Sequence, residues 1–388
     1  MKKKVKVVFL IPGFTSGGAE RVLSIILQYL DRDKIQPVCI VYEDCHRAYD
    51  IPIDVKIYSL YLPGVDSIYK KIVYAIKRIM RVRKIIALEK PDVLFSMLSA
   101  VNLIAICAGL LTKKSLKENL TIMASVRTYP SIALEGEQYG LKFLIKALYP
   151  MADRIIVNSE GMKKDLVENF NLSEDKVDVI YNPLPIDKIK ELSNQAVTEH
   201  PWFGEDIPII INIGSVDRYQ RKGHDILLSA FRHVREKIRC RLVIIGKGED
   251  KNLNILKQMA SELEISDDVA FLGFQSNPFK FVRRSAVFVL SSRVEGFPNA
   301  LLESMACSVP VVSTRCPSGP EEIITDTVNG LLVPVEDEKK LADAIITVLD
   351  HRDLAESMIS EAEKTVLSFD VSTAIKNYER LFISKCAE

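Results

Sequence analysis

Two carboxylates flank the predicted start of a helix in the last third of the chain. Glu295 lies in a loop rich in glycine and proline, and Glu303 lies inside the helix predicted over 299–307. The first amides of a helix have no partner within it, and the helix dipole favours negative charge there. Such an end binds anions, whereas ionised carboxylates accept hydrogen bonds from hydroxyls. Together these groups suit a ligand with both an anion and hydroxyls, as a nucleotide sugar has.

A second group of candidate residues follows the strand predicted over 209–213. The loop after it, GSVDRYQRKGHD, contains several basic side chains. A diphosphate needs both positive charge and hydrogen-bond donors, and basic side chains on a glycine-bearing loop supply them. This loop is therefore the first candidate for contact with the anionic part of the ligand.

Alternating strand and helix signals predict the elements that position these loops. Short apolar runs occur at 5–11, 38–42, 55–60, 93–97, 120–125, 154–158, 209–213, 242–245, 269–273 and 287–290. Strands alternating with helices predict an α/β fold with doubly wound parallel sheets, and 388 residues allow two domains with separate cores. A turn-rich segment, NPLP at 182–185, predicts the boundary. The predicted domains are 1–184 and 185–366, followed by a C-terminal helix within 367–388.

Composition and charge restrict the class of protein. Charged residues make up 27% of the chain and the net charge is +1, which gives no reason to expect a nucleic-acid partner. The seven cysteines are scattered without metal-ligand spacing, which predicts reduced thiols in the cytoplasm. The apolar stretch 93–111 is interpreted as a strand and a helix, not a membrane span. The one string resembling DxD, 31–33, follows a helix, so we predict no metal site.

The helix predicted over 67–89 has a basic stripe. Lys70, Lys77, Arg81 and Lys84 recur at helical spacing, and a row of isoleucines (Ile72, Ile76, Ile79, Ile86) is predicted on the opposite side. A solvated helix covering a core would show such a pattern. The alternative is a helix that binds an anionic membrane surface or a diphosphate, since clustered cations attract anionic lipid.

Several motifs occur in order over 295–334: EGFPNALLE, SVPVVST, PSGPEEI and VNGLLVP. This series resembles the pattern of retaining, metal-independent glycosyltransferases called glycosyltransferase family 4. The loop SGGAER near the N-terminus and the domain-ending segment around 154–187 are similar as well. The resemblance covers almost the whole chain and implies the GT-B fold, with two facing Rossmann-like domains and a cleft between them.

The resemblance also implies roles for individual residues. Glu295 would hold the transferred sugar and Glu303 the ribose, while Lys222 matches the phosphate-binding lysine. Ser215 stands where the family usually has an arginine, and either Arg218 or Arg221 could replace that arginine. The remaining implied donor contacts are Gly17, Gly18, Gly246, Phe297, Asn299, Ala300 and Leu301.

Arg127 departs from the family pattern. This position follows a predicted strand end. Many family members carry near it a histidine that contacts the sugar or the acceptor. Arg127 is therefore a candidate catalytic residue that could bind a phosphate or an acidic acceptor group, or that could simply pack.

The resemblance implies transfer of a hexose or N-acetylhexosamine from a UDP-sugar to a glycan, with no cofactor beyond this co-substrate. The basic helix favours an acceptor linked to a polyprenyl diphosphate, and the protein is expected at the inner face of the cell membrane as a cytoplasmic, peripheral protein. Such an enzyme would serve cell-surface polysaccharide or glycan assembly. Three alternatives stay open: a transferase with a soluble acceptor, a nucleotide-sugar epimerase, and a non-catalytic nucleotide- or lipid-binding partner.

Overall fold

The computed structural model describes residues 4–15, 17–43, 47–62, 68–116, 119–133 and 139–384. The chain forms two compact units, the first from Met1–Pro183 with Val371–Glu388 and the second from Leu184–Asp370. The first division falls one residue before the predicted boundary. The return to the first unit begins at Val371 and not at 367, because the preceding helix continues to Leu367.

A parallel sheet of seven strands forms the centre of the first unit. Its strands, in chain order, are β1 (Val5–Ile11), β2 (Ile35–Val41), β3 (Lys56–Ser59), β4 (Val93–Met97), β5 (Thr121–Ser125), β6 (Arg154–Val157) and β7 (Val177–Val179). Their spatial order is β3-β2-β1-β4-β5-β6-β7. The chain thus winds outward from β1 in one direction and from β4 in the other, which makes the β1/β4 junction the switch point of the sheet.

Helices cover both faces of this sheet. In chain order they are α1 (Gly18–Tyr29), α2 (Ile68–Glu89), α3 (Ser99–Leu116), α4 (Pro130–Ala133), α5 (Tyr139–Leu148) and α6 (Glu160–Phe170). One core forms between the sheet and α2, α3, α5 and α6, and a second forms on the face that α1 covers. The stretch 93–111 is β4 followed by α3, as predicted.

A second parallel sheet, of six strands, organises the other unit. Its strands are β8 (Ile209–Ile213), β9 (Arg241–Ile245), β10 (Val269–Phe271), β11 (Val287–Leu290), β12 (Val311–Thr314) and β13 (Leu331–Val333). The spatial order β10-β9-β8-β11-β12-β13 puts the switch point between β8 and β11. Their register pairs Val287 with Ile210 and Phe288 with Ile211. Both sheets are parallel and helix-covered, which confirms the predicted fold class.

The helices of the second unit and the final helix complete the chain. They are α7 (Ile186–Ser193), α8 (Tyr219–Lys222), α9 (His224–Arg235), α10 (Asp250–Glu262), α11 (Phe279–Val282), α12 (Asn299–Ala306), α13 (Pro320–Ile323), α14 (Glu338–Asp350), α15 (Arg352–Leu367) and α16 (Val371–Ser384). Sequence reasoning did not identify α15. The last helix, α16, packs on the first unit against the face that α1 covers.

Across the described part of the chain, no helix combines the length and the apolar character needed to cross a bilayer. Within the same residues, no group of three histidine, cysteine or acidic side chains is arranged to hold a metal ion.

Candidate active site

Two loops at the switch point of the second unit carry the residues that the sequence selected. The lysine loop, residues 214–224, follows β8, and the glutamate loop, residues 291–298, follows β11. Because β8 and β11 are hydrogen-bonded neighbours, the loops at their carboxyl ends meet. This is the edge at which parallel α/β sheets bind ligands.

Gly223 lets the two loops approach closely. Its φ is +63°, a left-handed conformation that other residues rarely adopt. A Cβ at this position would lie 1.9 Å from the carbonyl oxygen of Ser291. Glycine is therefore required here by both the backbone conformation and the contact, and it sets Lys222 against the glutamate loop.

Lys222 and Glu295 form an ion pair at the centre of the site. Lys222 Nζ lies 2.7 Å from Glu295 Oε1, and Ser292 Oγ donates to the same oxygen at 2.6 Å. Glu295 is buried. Burial acts to raise the pKa of Glu295, but Lys222, Ser292 and Arg221 outweigh it and hold the pKa below its usual value. The carboxylate is consequently ionised and ready to accept hydrogen bonds.

Arg221 and Arg218 differ in their burial and in their electrostatic effect on this pair. Arg221 is partly buried, and burial lowers its pKa while Glu295 acts in the opposite direction. Arg218 is exposed at the end of a short 3-10 turn over Val216–Arg218. Of these two arginines, Arg221 is the one whose charge helps Lys222 and Ser292 to lower the pKa of Glu295. The geometry thus favours Arg221 as the companion of Lys222, a choice that the sequence left open.

The start of α12 is more engaged than the sequence suggested. Asn299 N–H donates to the carbonyl of Phe297 at 3.1 Å, and Leu301 N–H donates to that of Pro298 at 3.0 Å. Asn299, Ala300 and Leu301 are the three residues of this helix start that were predicted to contact the nucleotide sugar. The amides of Asn299 and Leu301 already have local acceptors, with which an incoming anion would compete. Glu303 is buried one turn into the helix.

Two other predicted donor contacts serve the packing of the unit. Phe297 is buried, and its ring centroid lies 5.7 Å from that of Phe369. Gly246 packs so closely that a Cβ would lie 1.8 Å from the carbonyl oxygen of Gly214. Both residues shape the loops of the site, and this packing accounts for their identity without a ligand.

His224, the last residue of the lysine loop, forms a buried pair with Asn212 of β8 that sequence reasoning missed. His224 Nε2 lies 3.0 Å from Asn212 Oδ1, and Asn212 Nδ2 donates to the carbonyl of Val289 at 2.8 Å. Burial, and then the charge of Lys222, lower the pKa of His224 to about 4. The ring is therefore neutral near pH 7. The sequence shows only one histidine after a glycine, which gives no signal of burial.

In the first unit, the glycine-rich loop forms the N-terminus of α1. Glu20 Oε2 accepts hydrogen bonds from Gly17 N–H at 3.1 Å and from Thr15 Oγ1 at 3.0 Å. A Cβ on Gly17 would touch Glu20, whereas a Cβ on Gly18 would meet no atom within 4 Å. Gly17 thus takes part in a helix cap. Gly18 has open space before it that a ligand can enter.

Arg127 is held by two partners of its own unit. Its Nη1 donates to Asn182 Oδ1 at 2.7 Å, and its Nη2 donates to the hydroxyl of the buried Tyr378 at 2.5 Å. The arginine therefore joins the end of β5 to α16. These contacts give Arg127 a structural role, and its assignment as a catalytic residue stays a prediction.

On α2, the exposed face differs from the predicted one. Lys77, Arg81 and Lys84 are exposed as expected, but Ile72 and Ile76 are also exposed, by 57% and 56%. The predicted row of isoleucines is therefore divided: Ile79 and Ile86 pack on the core together with Val82, whereas Ile72 and Ile76, nearer the start of the helix, do not. The side chain of Lys70 lies outside the described residues.

Arg78 is a further cation on α2, outside the four that form the predicted stripe. Its guanidinium stacks on the ring of Tyr42, 4.0 Å from the centroid, just beyond the carboxyl end of β2. The neighbouring Arg81 donates to the carbonyl of Tyr61 at 2.9 Å. The partner of Arg81 is an uncharged carbonyl, so this contact does not neutralise the guanidinium.

Comparison with known proteins matches both units. Residues 16–188 match the model described as Glycosyltransferase Family 4, and residues 199–365 match Glycosyl transferases group 1. One similar protein is the N-acetylgalactosamine-N,N'-diacetylbacillosaminyl-diphospho-undecaprenol 4-alpha-N-acetylgalactosaminyltransferase of Campylobacter jejuni. It is 31% identical, covering 92% of this chain and 93% of that protein.

A second protein of Campylobacter jejuni is 26% identical, with 95% of each chain covered. It is the GalNAc-alpha-(1->4)-GalNAc-alpha-(1->3)-diNAcBac-PP-undecaprenol alpha-1,4-N-acetyl-D-galactosaminyltransferase. Among solved structures, Anabaena HepE with UDP and glucose has a TM-score of 0.78 at 18% identity, covering 98% of this chain and 100% of that one. Sucrose-phosphate synthase of Thermosynechococcus elongatus has a TM-score of 0.83 at 16% identity, covering 99% and 100%. These structures have the same fold.

Proposed function

The chain belongs to glycosyltransferase family 4, and on that premise we propose that it is a retaining, metal-independent enzyme. In this proposal it moves a hexose or N-acetylhexosamine from a UDP-sugar to a growing glycan on a polyprenyl diphosphate, in cell-surface polysaccharide or glycan assembly. The names of two relatives support this acceptor, since both act on glycans linked to undecaprenol through a diphosphate.

The observation that supports the donor assignment most is the contact between Lys222 and Glu295. The two side chains lie one hydrogen bond apart, so the diphosphate and the sugar of one donor molecule can reach both. A diphosphate draws Lys222 toward its own charge, with Arg221 beside it. The ionised Glu295 then accepts hydrogen bonds from the sugar hydroxyls in place of the lysine, and Glu303 receives the ribose.

The proposed reaction needs stabilisation of the leaving diphosphate. The bond between the sugar C1 and the phosphate oxygen breaks, and a bond forms between C1 and the acceptor oxygen on the same face. The proton of the acceptor hydroxyl passes to the leaving phosphate, so UDP and the extended glycan are the products. Lys222 and Arg221 stabilise the charge that develops, and loss of one such group typically lowers kcat by about 10²–10³.

The exposed face of α2 supports a place for the acceptor at an anionic membrane surface. Three exposed apolar side chains (Ile72, Ile76, Met80) adjoin three exposed cations (Lys77, Arg81, Lys84). Apolar side chains enter the interfacial region of a bilayer, while adjacent cations bind its anionic headgroups. We therefore propose peripheral association with the inner face of the cell membrane from the cytoplasm.

A donor screen tests this function. The purified protein is incubated with each common UDP-sugar and a bacterial lipid extract, and both released UDP and lipid-linked product are measured. We expect release that depends on one sugar and on the lipid, and NMR of the product should show the donor's anomeric configuration. Release without lipid would indicate a soluble acceptor, and no release with any donor would favour a non-catalytic binding protein.

The same assay with EDTA tests independence from metal ions. We expect full activity, because the proposed charge stabilisation comes from Lys222 and Arg221. Loss of activity that Mn²⁺ restores would contradict this part of the proposal.

A further inference from the structure

Arg293 lies between Ser292 and Glu295 in the glutamate loop, and its guanidinium connects four parts of the second unit. Nη1 and Nη2 donate to the two carboxylate oxygens of Asp225, at the start of α9, each at 2.8 Å. Nη2 also donates to Glu336 Oε2 at 3.0 Å, in the turn after β13. Nη1 in addition donates to the carbonyl of Gln220 in the lysine loop. One side chain thus joins the two loops of the site to two helix and strand ends.

The glutamate loop holds three consecutive carbonyls of the lysine loop. Besides the contact with Gln220, Arg293 N–H donates to the carbonyl of Arg221 at 2.9 Å, and Ser291 Oγ donates to that of Lys222 at 2.9 Å. These carbonyls lie at the end of the short helix α8, where carbonyls have no partner inside the helix, and the carbonyl of Gln220 also accepts from Gly223 N–H at 3.2 Å. The direction of the Lys222 side chain follows from how this turn is held.

We propose that Arg293 is a positioning residue for the donor diphosphate. It fixes the Lys222 turn against the glutamate loop so that Lys222 reaches both Glu295 and the ligand. It also pairs with Asp225 and Glu336, two carboxylates that would otherwise repel a diphosphate at this end of the sheet. This inference rests on the proposed function for the identity of the ligand, a donor diphosphate. The contact between Lys222 and Glu295 that it explains is present in the protein without a ligand.

The shape of the guanidinium explains why an arginine is needed. A planar guanidinium binds one carboxylate through two parallel hydrogen bonds and has further donors for other partners. Lysine keeps the charge but is a single point donor. Arg293→Lys therefore preserves the electrostatics while it removes the simultaneous contacts.

The test compares Arg293→Lys with a matched control, Arg154→Lys. Arg154 binds Asp178 through two nitrogens and the carbonyl of Asp175 through a third, and its side chain is similarly exposed, 22% against 28%. It lies in the first unit, at the start of β6. We expect Arg293→Lys to weaken UDP binding at least about tenfold in titration calorimetry, whereas Arg154→Lys leaves UDP affinity unchanged. Equal UDP affinity in Arg293→Lys and the wild type would overturn the proposal.

A second comparison shows whether Arg293 acts through Lys222. In a Lys222→Met background, Arg293→Lys should weaken UDP binding by less than about twofold, because the group that it positions is gone. The same tenfold loss in that background would mean that Arg293 acts independently of Lys222, against the proposal.

The crystal structure of ligand-free Arg293→Lys separates this inference from the proposed function. We expect Lys222 Nζ to move beyond hydrogen-bond distance of Glu295, and an unchanged ion pair would refute the positioning role. A wild-type protein that fails to bind UDP would instead reject the donor assignment, while the structure of the variant would still decide what Arg293 does.

Discussion

Glu295 meets Lys222 across 73 positions of sequence, and the ion pair links the two groups that the proposed donor would use. The carboxylate is buried, and its pairing with a cation and a hydroxyl keeps it ionised. A buried charge of this kind is stable only while its partners stay in place. At the residue scale, the free enzyme therefore holds both groups ready for a ligand that exchanges partners with them.

Replacing Glu295 by glutamine tests this arrangement. The amide has the same shape but no charge, so it accepts hydrogen bonds from sugar hydroxyls less strongly. We expect kcat to fall by about 10²–10³. The melting temperature should fall by no more than about 4 °C, since Lys222 can turn toward solvent. The control is Glu191→Gln, which removes the carboxylate of the exposed pair between Lys188 and Glu191. Wild-type turnover in Glu295→Gln would contradict the role of Glu295.

His224 makes the stability of the second unit depend on pH. The folded protein has a pKa of about 4 at this residue, against about 6.5 for an unfolded chain. Between these values the unfolded chain binds a proton that the folded one does not, so stability falls as the pH falls from 6.5 to 4. At pH 5 the contribution of His224 to this loss is about 2 kcal/mol.

Urea unfolding of His224→Gln at pH 7 and pH 5 checks this prediction. The variant should lose about 2 kcal/mol less than the wild type between the two values, whatever its stability at pH 7. His351→Gln, at an exposed histidine, serves as the control. An identical loss in His224→Gln and the wild type would show that His224 is not the group responsible.

At the element scale, α2 has three sectors, which differ in position along the helix as well as around its axis. One packs on the sheet through Ile79, Val82 and Ile86, one is exposed and apolar, and one is exposed and cationic. A helix that merely covered a core would bury its apolar side chains. Exposed Ile72 and Ile76 beside Lys77 instead fit a surface that lies at a bilayer interface.

Neutralising Lys77, Arg81 and Lys84 together to glutamine tests the cationic sector. Each cation near an anionic membrane is worth about 1 kcal/mol, so binding to anionic vesicles should weaken about 100-fold. Vesicle flotation measures this, with vesicles of neutral lipid for comparison. A triple variant of exposed lysines elsewhere, at Lys164, Lys251 and Lys257, has the same change in charge and should bind normally. Equal binding by both triple variants would remove α2 as the membrane surface.

At the scale of the whole molecule, the last helix, α16, completes a core of the first unit. Phe382 and Tyr378 of α16 pack with Phe95 of β4, with ring centroids 5.5 Å and 6.0 Å from that of Phe95. Tyr378 and Phe382 are both fully buried. Glu379 accepts a hydrogen bond from the backbone N–H of Asp31 at 2.8 Å. Residues 1–183 alone would therefore expose a large apolar face.

Phe382→Ala should destabilise the first unit by about 3–5 kcal/mol, the usual cost of removing a buried aromatic ring. Hydrogen exchange followed by mass spectrometry locates the effect, which we expect in β1 and β4 and not in the six strands of the second unit. Leu367→Ala, at a leucine that is 63% exposed, is the control and should change little. Faster exchange in both units, or in neither, would contradict this account of α16.

The sequence by itself determined the fold class and the family, and it selected Lys222 and Glu295 as candidate site residues. Apolar runs such as Ile209–Ile213 are local signals of buried strands, and EGFPNALLE is a contiguous motif, so neither needs knowledge of distant contacts. For the same reason, the strands that carry the site were predicted to within a few residues.

Only the tertiary structure decided which groups meet. The folded chain brings Arg221 to Glu295 and connects Arg293 with Asp225 across 68 positions, and it buries His224 against Asn212. The exposure of Ile72 and Ile76 depends likewise on which part of α2 packs on the core, because Ile79 and Ile86 of the same row do so. Burial and charge pairing are properties of what surrounds a side chain, and folding alone supplies those surroundings.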